Sequence, residues 1–438
     1  MWEIEGKLTN DEAVVMEYFH LKHPPMVKSL LDTDQYKKSM KQTYLHQFSD
    51  AWATWDLKAR NVGEGKDLAE KYTAADREEI ENQIRAYCAL RYTEEELAFL
   101  GDPIARPWIH HNFIEVERDW RPHFKDFKIC DDPDTGIMIH TKGVQWKISE
   151  YEIPVLEIVD ETYYRNHYDY KELLEKSKKE FLELLELVKK GIYHPGVVSE
   201  FGARRRLSYE YQDFTVHALV EAMKDPEFAK HMVFVGTSNM YLAMKYNIKA
   251  VGTMAHEFIM TVGQGYSKHN PAYSNWYALD AWVKEYGTMN GIALTDTIGT
   301  DVFLRDFKTT FARIFDGVRH DSGDPLAWGD KIIEHYKKLG IDPMTKTLLF
   351  SDSLDFKRAT EIAEYFKGKA KVAFGIGTFI SGPKSIPALN IVFKVAIVNG
   401  HDVAKLSDAP GKNMCRNPRA IDRLKSEIAW SFETGNAA

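Results

Sequence analysis

The chain has 438 residues, of which 44% are hydrophobic and 28% are charged, and its formal net charge is −8. This length favours a large barrel-type domain together with at least one smaller domain, and the many aromatic residues argue against disorder. The acidic balance gives no general attraction for nucleic acid or an anionic membrane surface, so any anionic ligand must be held by local clusters of donors.

The cysteine content and the first residues bear on location. Cys88, Cys130 and Cys415 are far apart and lack metal-type spacing, which predicts free thiols in a reducing compartment. Residues 1–22 lack the basic-then-apolar order of a signal peptide, and no apolar run approaches the roughly 20 residues that a membrane helix needs. The sequence therefore predicts a cytoplasmic protein without a transmembrane segment.

The first part of the chain predicts a mixture of helices and strands. Residues 66–100 follow a helical pattern, with Asp76 as a possible cap. Between residues 109 and 148, two runs separated by the polar turn 131–136 predict a hairpin. Residues 171–190 have the apolar stripe and the charged face of an amphipathic helix.

From Gly196 onward, short apolar runs alternate with helical stretches, which predicts a parallel sheet. Each run ends in small or polar residues, and reactive groups of (β/α) barrels lie at the carboxyl ends of the strands. An open doubly wound sheet is the alternative, but it would concentrate ligand residues at one switch point. The predicted strands are 197–201, 233–238, 250–256, 292–296, 317–322, 347–353 and 371–378. Beyond them, Asn399-Gly400 predicts a hairpin turn in a tail that packs back on the N-terminal layer.

Three motifs at predicted strand ends are suited to binding anions. The segment 201–206 contains three consecutive arginines whose forked donors fit a carboxylate or a phosphate, although a solvated basic turn is the alternative. The turns 236–239 and 375–378 combine glycine with a hydroxyl and can bring backbone N–H groups close to phosphate oxygens. Each alone is often only a tight turn, and neither matches a P-loop or a dinucleotide fingerprint.

His256 ends the predicted strand 250–256 and precedes Glu257. A lone histidine is usually a surface residue or a satisfied core residue, so its position at a strand end is what makes it a candidate. An imidazole can act as a covalent nucleophile and carry a phosphoryl group if neighbouring carboxylates hold the ring in one tautomer. Glu257 and any acid at a strand end are candidates for that task.

Two acidic turns complete the set of candidate residues. The segment 319–324 gathers positive, negative and hydroxyl groups that suit a phosphorylated sugar whose pyrophosphate is bound through Mg²⁺. Asp324 precedes a proline and also fits a helix cap. Of the two acids in 351–355, Asp352 is the predicted ligand and Asp355 the predicted cap.

Taken together, these segments resemble the nicotinate phosphoribosyltransferase family. The resemblance implies the α/β fold of type II phosphoribosyltransferases, with an irregular (β/α) barrel over 166–389 and an α+β N-terminal domain over 1–165. The segment from about 390 to 438 would complete that N-terminal domain. It also implies a homodimer with shared active sites. The matching blocks are 33–37, 200–206, 236–239, 252–257, 303–307, 319–325, 374–378 and 405–408.

The same resemblance implies roles for individual residues. Tyr36 of the partner subunit and Phe201 would sandwich the pyridine ring of nicotinate, and Arg204 would meet its carboxylate. ATP would phosphorylate His256 next to Glu257, and the cycle would convert nicotinate, phosphoribosyl pyrophosphate and water to nicotinate mononucleotide, pyrophosphate, ADP and phosphate. This reaction is the first step of NAD salvage from nicotinate. The residues expected to hold ribose and phosphate are Thr237, Ser238, Arg319, Asp321, Ser322, Asp352, Gly377 and Thr378, with Asp321 also a ligand of Mg²⁺.

The sequence leaves two alternatives open and departs from the family pattern twice. The alternatives are a related transferase for nicotinamide or quinolinate, and a barrel that binds sugar phosphates without catalysis. Residues 1–28 form a longer lead-in than is usual in the family, and no task is predicted for them. Phe258 stands where many relatives have tryptophan, and the expected consequence is a change of packing only.

Overall fold

The structure, a computed structural model, describes residues 1–59, 71–409 and 413–434. The N-terminal region combines short strands with helices. Its elements are β1 (Trp2–Ile4), β2 (Lys7–Thr9), α1 (Glu12–Phe19), α2 (Gln35–Gln47), β3 (Trp52–Ala59), α3 (Ala74–Cys88), α4 (Glu94–Leu100), α5 (His111–Asp119), β4 (Phe127–Cys130), β5 (Met138–Val144), α6 (Gln145–Ile148), α7 (Glu152–His167) and α8 (Tyr170–Lys189).

The following region alternates strands and helices, as its rhythm of apolar runs predicted. Its elements are β6 (Gly196–Glu200), α9 (Tyr209–Ala222), α10 (Pro226–Ala229), β7 (Met232–Thr237), α11 (Met240–Lys245), β8 (Lys249–Ala250), α12 (His256–Gln264), α13 (Ser274–Tyr286), β9 (Ile292–Leu294), α14 (Thr300–Asp306), α15 (Thr309–Ile314), β10 (Gly317–His320), α16 (Pro325–Lys338), β11 (Thr347–Phe350), α17 (Phe356–Phe366), β12 (Lys371–Ile376) and α18 (Thr378–Ser381). The chain then adds β13 (Ile391–Val398), β14 (His401–Asp402) and α19 (Pro418–Thr434).

The strands of the alternating region form one seven-stranded sheet with the order β8-β7-β6-β12-β11-β10-β9. Its six neighbouring pairs are all parallel. Consequently the carboxyl ends of all seven strands meet at one edge of the sheet, which is where the candidate residues were expected. Fully buried side chains such as Val198, Val318 and Phe374 fill the core between this sheet and its helices.

A second sheet is antiparallel and joins distant parts of the chain in the order β14-β13-β3-β5-β4. The predicted hairpin of 109–148 is the pair β4–β5, and the predicted turn at Asn399-Gly400 connects β13 with β14. Because β13 pairs with β3, the C-terminal segment completes the N-terminal sheet. Both features, and the parallel sheet, confirm the predicted fold class.

The lead-in of residues 1–28 is part of the N-terminal core. The hairpin β1–β2 precedes α1, and α1 buries Val15 completely. The backbone of Glu3 donates to Ala89, and that of Arg91 donates to Met1, so the hairpin is tied to the end of α3. This segment therefore adds a layer to the N-terminal region.

Two predictions of local structure were wrong in detail. The strand predicted over 250–256 ends at Ala250, since the next residues pack against α2 and take hydrogen bonds from its side chains: Gln35 Nε2 donates to Gly252 and Ser39 Oγ to Thr253. Asp76 is not a helix cap. Thr73 caps α3, and Asp76 three residues later accepts from the Thr73 backbone, as in a capping box.

The helical pattern predicted over 66–100 is confirmed by two helices, α3 and α4, and a second capping box at Thr93 and Glu96 begins α4. The part of this prediction on residues 66–70 lies outside the described residues. Elsewhere the cap predictions are confirmed, because Asp324 caps α16 before Pro325 and Asp355 caps α17. The amphipathic helix predicted over 171–190 is α8.

Candidate active site

His256 is the first residue of α12, and its imidazole lies at the carboxyl edge of the parallel sheet. The ring is held from both sides. Its Nδ1 is 2.9 Å from Thr297 Oγ1, and its Nε2 is 2.8 Å from Asp321 Oδ2 and 2.9 Å from Lys405 Nζ. Only 7% of His256 is exposed, so the imidazole is fixed in a nearly dry environment.

Burial, together with the charge of Lys405, keeps the His256 ring neutral at physiological pH. Burial, followed by the nearby Lys405 ammonium, lowers the pKa of His256 to about 4, while Asp296 and Asp321 act in the opposite direction. Burial alone would raise the pKa of Asp321, but the hydrogen bond to His256 and the charge of Arg319 hold it well below its usual value. The ring is therefore an uncharged base whose free nitrogen can act as a nucleophile.

A second carboxylate, Asp296, lies behind the imidazole. Its Oδ1 is 3.8 Å from His256 Nε2, and its Oδ2 accepts from Ser322 Oγ at 2.5 Å and lies 3.3 Å from Lys405 Nζ. Burial raises the pKa of Asp296, but the charges of His256 and Lys405 outweigh it and the net pKa is lowered. Two carboxylates and one ammonium thus surround Nε2 of His256.

The C-terminal segment brings Lys405 to this edge. The Leu406 backbone donates to Thr297 at 2.7 Å, one residue beyond Asp296. Asp408 accepts from the backbone and the hydroxyl of Thr300 at the start of α14, at 3.0 and 2.5 Å. These bonds attach the segment to the loop that follows β9, and they fix the lysine beside the imidazole.

Glu257 lies in a different cluster from His256. Its Oε2 is 2.6 Å from Lys37 Nζ, and that ammonium also lies 2.5 Å from Glu152 Oε2. Glu152 Oε1 is 3.8 Å from Nη1 of Arg204. Burial and the neighbouring Glu152 raise the pKa of Glu257 to about 8, against the effect of Lys37. The structure therefore connects Glu257 with the arginine predicted to bind a carboxylate, and Asp321 with the histidine.

The aromatic residues predicted to sandwich a flat ligand lie close to Arg204. Tyr36, in the first turn of α2, is 8% exposed, and its hydroxyl has no hydrogen-bond partner among the described atoms. The charge of the Arg204 group acts on this hydroxyl, so Tyr36 and Arg204 of the same chain are neighbours. The Phe201 ring packs over Gly375, where any Cβ would overlap it. Arg204 also lies near enough to Asp321 for the two charges to interact.

The hydroxyls of the turn 236–239 are used internally. Thr237 Oγ1 donates to the buried Glu200 at 2.5 Å, and Ser238 Oγ donates to Asp34 at 2.5 Å. Both residues are buried. Asn239 caps α11. The turn thus holds the sheet edge and α2 together, and its hydroxyls are already occupied.

The remaining candidates line the same edge. Arg319 donates from Nη1 to the carbonyl of Met254 at 3.0 Å, so its guanidinium supports the loop before His256. Asp352 is half-buried and accepts from Ser353 Oγ at 3.0 Å. Gly377 lies where a Cβ would be 2.8 Å from the Phe201 carbonyl, and the half-buried Thr378 begins α18. The predicted glycine turn at 375–378 thus allows its backbone to lie close to the backbone of Phe201.

Sequence reasoning missed three residues that contact the histidine or its carboxylates. Thr297 and Lys405 contact His256 directly, and Ser351 Oγ donates to Asp321 at 3.0 Å. Thr297 directly follows a predicted strand end and could have been found by that signal. Lys405 is 149 positions from His256 in the chain, and no local pattern indicates that contact.

Other features lie outside this cluster. A cavity of about 630 Å³ is lined by residues of the lead-in and by side chains of α4, α7 and α9, and His256, Asp296 and Asp321 are not among its lining residues. In the described part of the chain, no helix combines the length and the apolar character needed to cross a bilayer. All three cysteines are free thiols, as predicted.

A parallel sheet whose carboxyl edge carries a buried, neutral imidazole, paired acids and arginines defines an enzyme of the barrel-type α/β class. Comparison with known proteins makes this specific. The sequence model of the nicotinate phosphoribosyltransferase family matches residues 197–431, and that of its N-terminal domain matches residues 31–160. The chain belongs to the nicotinate phosphoribosyltransferase family.

Relatives and solved structures agree with this assignment. Nicotinate phosphoribosyltransferase 1 of Pseudomonas aeruginosa is 40% identical over 408 residues, which is 91% of this chain and 96% of that protein. The crystal structure of the Vibrio cholerae nicotinate phosphoribosyltransferase matches with a TM-score of 0.81 and 32% identity, covering 93% of this chain and 95% of that one. The Porphyromonas gingivalis structure gives a TM-score of 0.79 at 30% identity, with 91% and 99% covered.

Proposed function

We propose that the chain joins nicotinate to the phosphoribosyl group of phosphoribosyl pyrophosphate at the carboxyl edge of its parallel sheet, and that ATP phosphorylates His256 during the cycle. Family membership supports the overall reaction. The observation that carries the role of His256 is its neutral, buried ring, which is held by Thr297 and Asp321 with an ammonium 2.9 Å from Nε2. A barrel that only bound sugar phosphates would have no use for this arrangement.

The contacts of the imidazole favour Nε2 as the reacting atom. Phosphoryl transfer to Nε2 uses the tautomer with the proton on Nδ1, in which the ring donates to Thr297 Oγ1 and Nε2 accepts from Lys405 Nζ. The Asp321 carboxylate, 2.8 Å from Nε2, would then turn away from the Nε2 lone pair, because this contact is a hydrogen bond only when a proton lies on Nε2. Nε2 would form a bond to the γ-phosphorus of ATP while the bond to the ADP oxygen breaks. Lys405 would offset the negative charge of the phosphoryl group. Attack of water on phosphorus would later release phosphate and restore the free ring.

The acids beside His256 fit a role for Mg²⁺. Asp296 and Asp321 supply the carboxylate oxygens that Mg²⁺ prefers, and Oδ1 of Asp296 has no hydrogen-bond partner among the described atoms. Asp321, the predicted ligand, would hold the ion together with phosphate oxygens of the substrates. The ion would supply positive charge where phosphates and the two acids would otherwise repel each other.

Nicotinate would bind beside Arg204. Its carboxylate suits the guanidinium fork, and its flat ring suits the faces of Phe201 and Tyr36. Tyr36 lies close enough to Arg204 of the same chain for the two groups to interact, so in this proposal one chain supplies both residues, and Tyr36 of the partner subunit, which the resemblance implied, is not required. Lys37 and Glu152 would hold Arg204 in place through the buried charge cluster described above.

The proposal also covers the metabolic role, the domain division and the location of the protein. The reaction would be the first step of NAD salvage from nicotinate. We propose division of the chain at about residue 165 into an N-terminal domain and a barrel, since β13 returns at Ile391 to the N-terminal sheet. Three free thiols support a reducing, cytoplasmic location.

Labelling with γ-phosphate-labelled ATP tests the role of His256. The native protein should acquire acid-labile label, which nicotinate and phosphoribosyl pyrophosphate discharge as nicotinate mononucleotide forms. His256→Asn should acquire none. His335→Asn is the matched control, because that ring lies on α16 and contacts only the Phe307 carbonyl among the bonds described. Equal labelling of His256→Asn and the native protein would refute the proposal.

A competition assay tests the pyridine substrate. With Arg204 intact, nicotinate should be used in preference to nicotinamide and quinolinate. Arg204→Gln should weaken the binding of nicotinate and leave labelling of His256 unchanged, because among the described residues no hydrogen bond or ion pair joins the Arg204 guanidinium to the imidazole. A native enzyme that prefers the amide would contradict the assignment of Arg204 and leave the role of His256 intact.

A further inference from the structure

A second group of ligand-type side chains lies away from the His256 cluster, where three helices meet. His46 is in the last turn of α2, His110 precedes α5, and Glu285 is in the last turn of α13. One atom from each of the three side chains lies within 4.8 Å of the other two. The positions are 46, 110 and 285, so only the tertiary fold brings them together.

Nδ1 of each imidazole ring faces the same carboxylate oxygen of Glu285. Nδ1 of His46 is 2.6 Å from Oε1 of Glu285, and Nδ1 of His110 is 3.8 Å from that oxygen. The rings stack at 5.3 Å between centroids and 22° between planes. The 3.8 Å separation is too long for a hydrogen bond, so the His110 nitrogen points at the carboxylate without bonding to it.

The carboxylate is held in place from behind. Gln42 Nε2 donates to Oε1 of Glu285 at 3.1 Å, and Gln47 Nε2 donates to Oε2 at 3.1 Å. The side chain of Glu285 is only 4% exposed, whereas His110 is 45% exposed. One face of the group is therefore fixed by amides, as in the outer layer of metal sites, and the other is open to solvent.

We propose that His46, His110 and Glu285 form a Zn²⁺ site. Two imidazole nitrogens and one carboxylate oxygen are ligands that Zn²⁺ accepts, with water in the fourth position, whereas Mg²⁺ prefers oxygen alone. Ligands about 2.1 Å from a tetrahedral ion stand roughly 3.4 Å apart. To reach this spacing, Nδ1 of His46 must move away from Oε1 of Glu285, and Nδ1 of His110 must move toward it, by less than about 1 Å each. Rotation of the side chains provides such movements.

Binding of the ion changes the tautomer of His46. Asn112 Nδ2 is 3.1 Å from His46 Nε2, and this contact fits the tautomer whose proton is on Nδ1 and points to Glu285. Coordination through Nδ1 removes that proton to solvent or moves it to Nε2. The Asn112 amide then turns by half a rotation and accepts from Nε2 through its oxygen.

The site joins helices that carry the catalytic residues at other points. Tyr36 and Lys37 begin α2, about 15 Å along the axis from His46. Glu285 ends α13, which packs against α12, the helix that begins at His256. An ion at the junction fastens α2, α5 and α13 to one another, so it stabilises this part of the molecule without contacting substrates.

Titration with Zn²⁺ alone tests the proposal. Untagged protein, stripped with chelator, is titrated by calorimetry in the His256→Asn background, which removes the imidazole of the other ligand group. One ion per chain is expected. His110→Gln and, separately, His46→Gln should weaken this binding by at least about tenfold. His217→Gln is the matched control, because that exposed ring also faces a glutamate, Glu221, at 3.6 Å, but within the described ranges it belongs to no group of three ligand-type side chains.

Two further measurements separate a metal site from a hydrogen-bond network. Saturating Zn²⁺ should raise the thermal midpoint of the protein, and His110→Gln should abolish that rise while its midpoint without metal stays unchanged. Co²⁺ in the same site should show the strong visible bands of tetrahedral coordination, which His110→Gln should also abolish. Unaltered Zn²⁺ affinity in both His46→Gln and His110→Gln, or no binding to the His256→Asn protein, would overturn the proposal.

Discussion

Replacing Lys405 with methionine removes the positive charge beside the imidazole and keeps the length of the side chain. Lys405 Nζ is 2.9 Å from His256 Nε2. At an effective dielectric constant of 20, two unit charges at that distance repel by about 6 kcal/mol, which is an upper bound. Burial contributes more than Lys405 to the lowered pKa of about 4, and the acids Asp296 and Asp321 favour the charged ring. We therefore expect Lys405→Met to raise the pKa of His256 by about two units, or about 3 kcal/mol.

The consequence is a new pH dependence of phosphorylation. In the native protein a ring with a pKa of about 4 is more than about 90% unprotonated at pH 5, so the labelling rate should change little between pH 7 and pH 5. In Lys405→Met, a pKa near 6 should lower that rate about tenfold over the same range. The variant also loses charge neutralisation, so its rate should be lower at every pH.

The assay combines rates of phosphohistidine formation with an NMR titration of labelled histidine, in which His256→Asn assigns the resonance. Lys405→Arg is the control, since it keeps the charge and should keep the ring neutral at pH 5. The reasoning is refuted if the His256 titration in Lys405→Met stays at or below about 4, or if Lys405→Arg shows the same shift as methionine.

Three other substitutions test the part of the site around Arg204. Burial raises the pKa of Glu257 to about 8, so its carboxyl binds a proton more readily folded than unfolded, and this stabilisation is lost as pH rises from about 4.5 through 8. Glu257→Gln, which mimics the protonated acid, should therefore not lower the thermal midpoint at pH 7 and should remove its decline between about pH 5 and pH 8. In contrast, Glu152→Gln, which breaks a buried pair with Lys37, should cost about 3–5 kcal/mol. Equal losses of stability in Glu257→Gln and Glu152→Gln would contradict the protonation of Glu257 at pH 7. Gly375→Ala places a Cβ against the Phe201 ring, so the KM for nicotinate should rise about tenfold, by overpacking worth about 1–2 kcal/mol, with the KM for phosphoribosyl pyrophosphate unchanged. A parallel rise of both KM values would show a general distortion instead.

The sequence determined the parallel sheet and the position of its candidate residues. Short apolar runs separated by helical stretches can bury both faces of each strand only when helices cover the sheet, so the order of elements fixes the architecture. His256, Asp321 and Arg204 all follow such runs, and parallel strands bring their carboxyl ends to one edge. The caps at Asp324 and Asp355 were equally readable, because a cap depends on only a few neighbouring residues.

Tertiary structure alone decided which side chains meet. Lys405 reaches His256 because the chain after the barrel returns across the loop that follows β9, and no local pattern encodes a contact 149 residues away. The partners of Glu257 were misjudged for the same reason, since adjacent residues at the start of a helix point in different directions and find different neighbours. Periodicity and turn chemistry are properties of short segments, whereas the charge on a buried imidazole depends on groups that only the folded chain assembles.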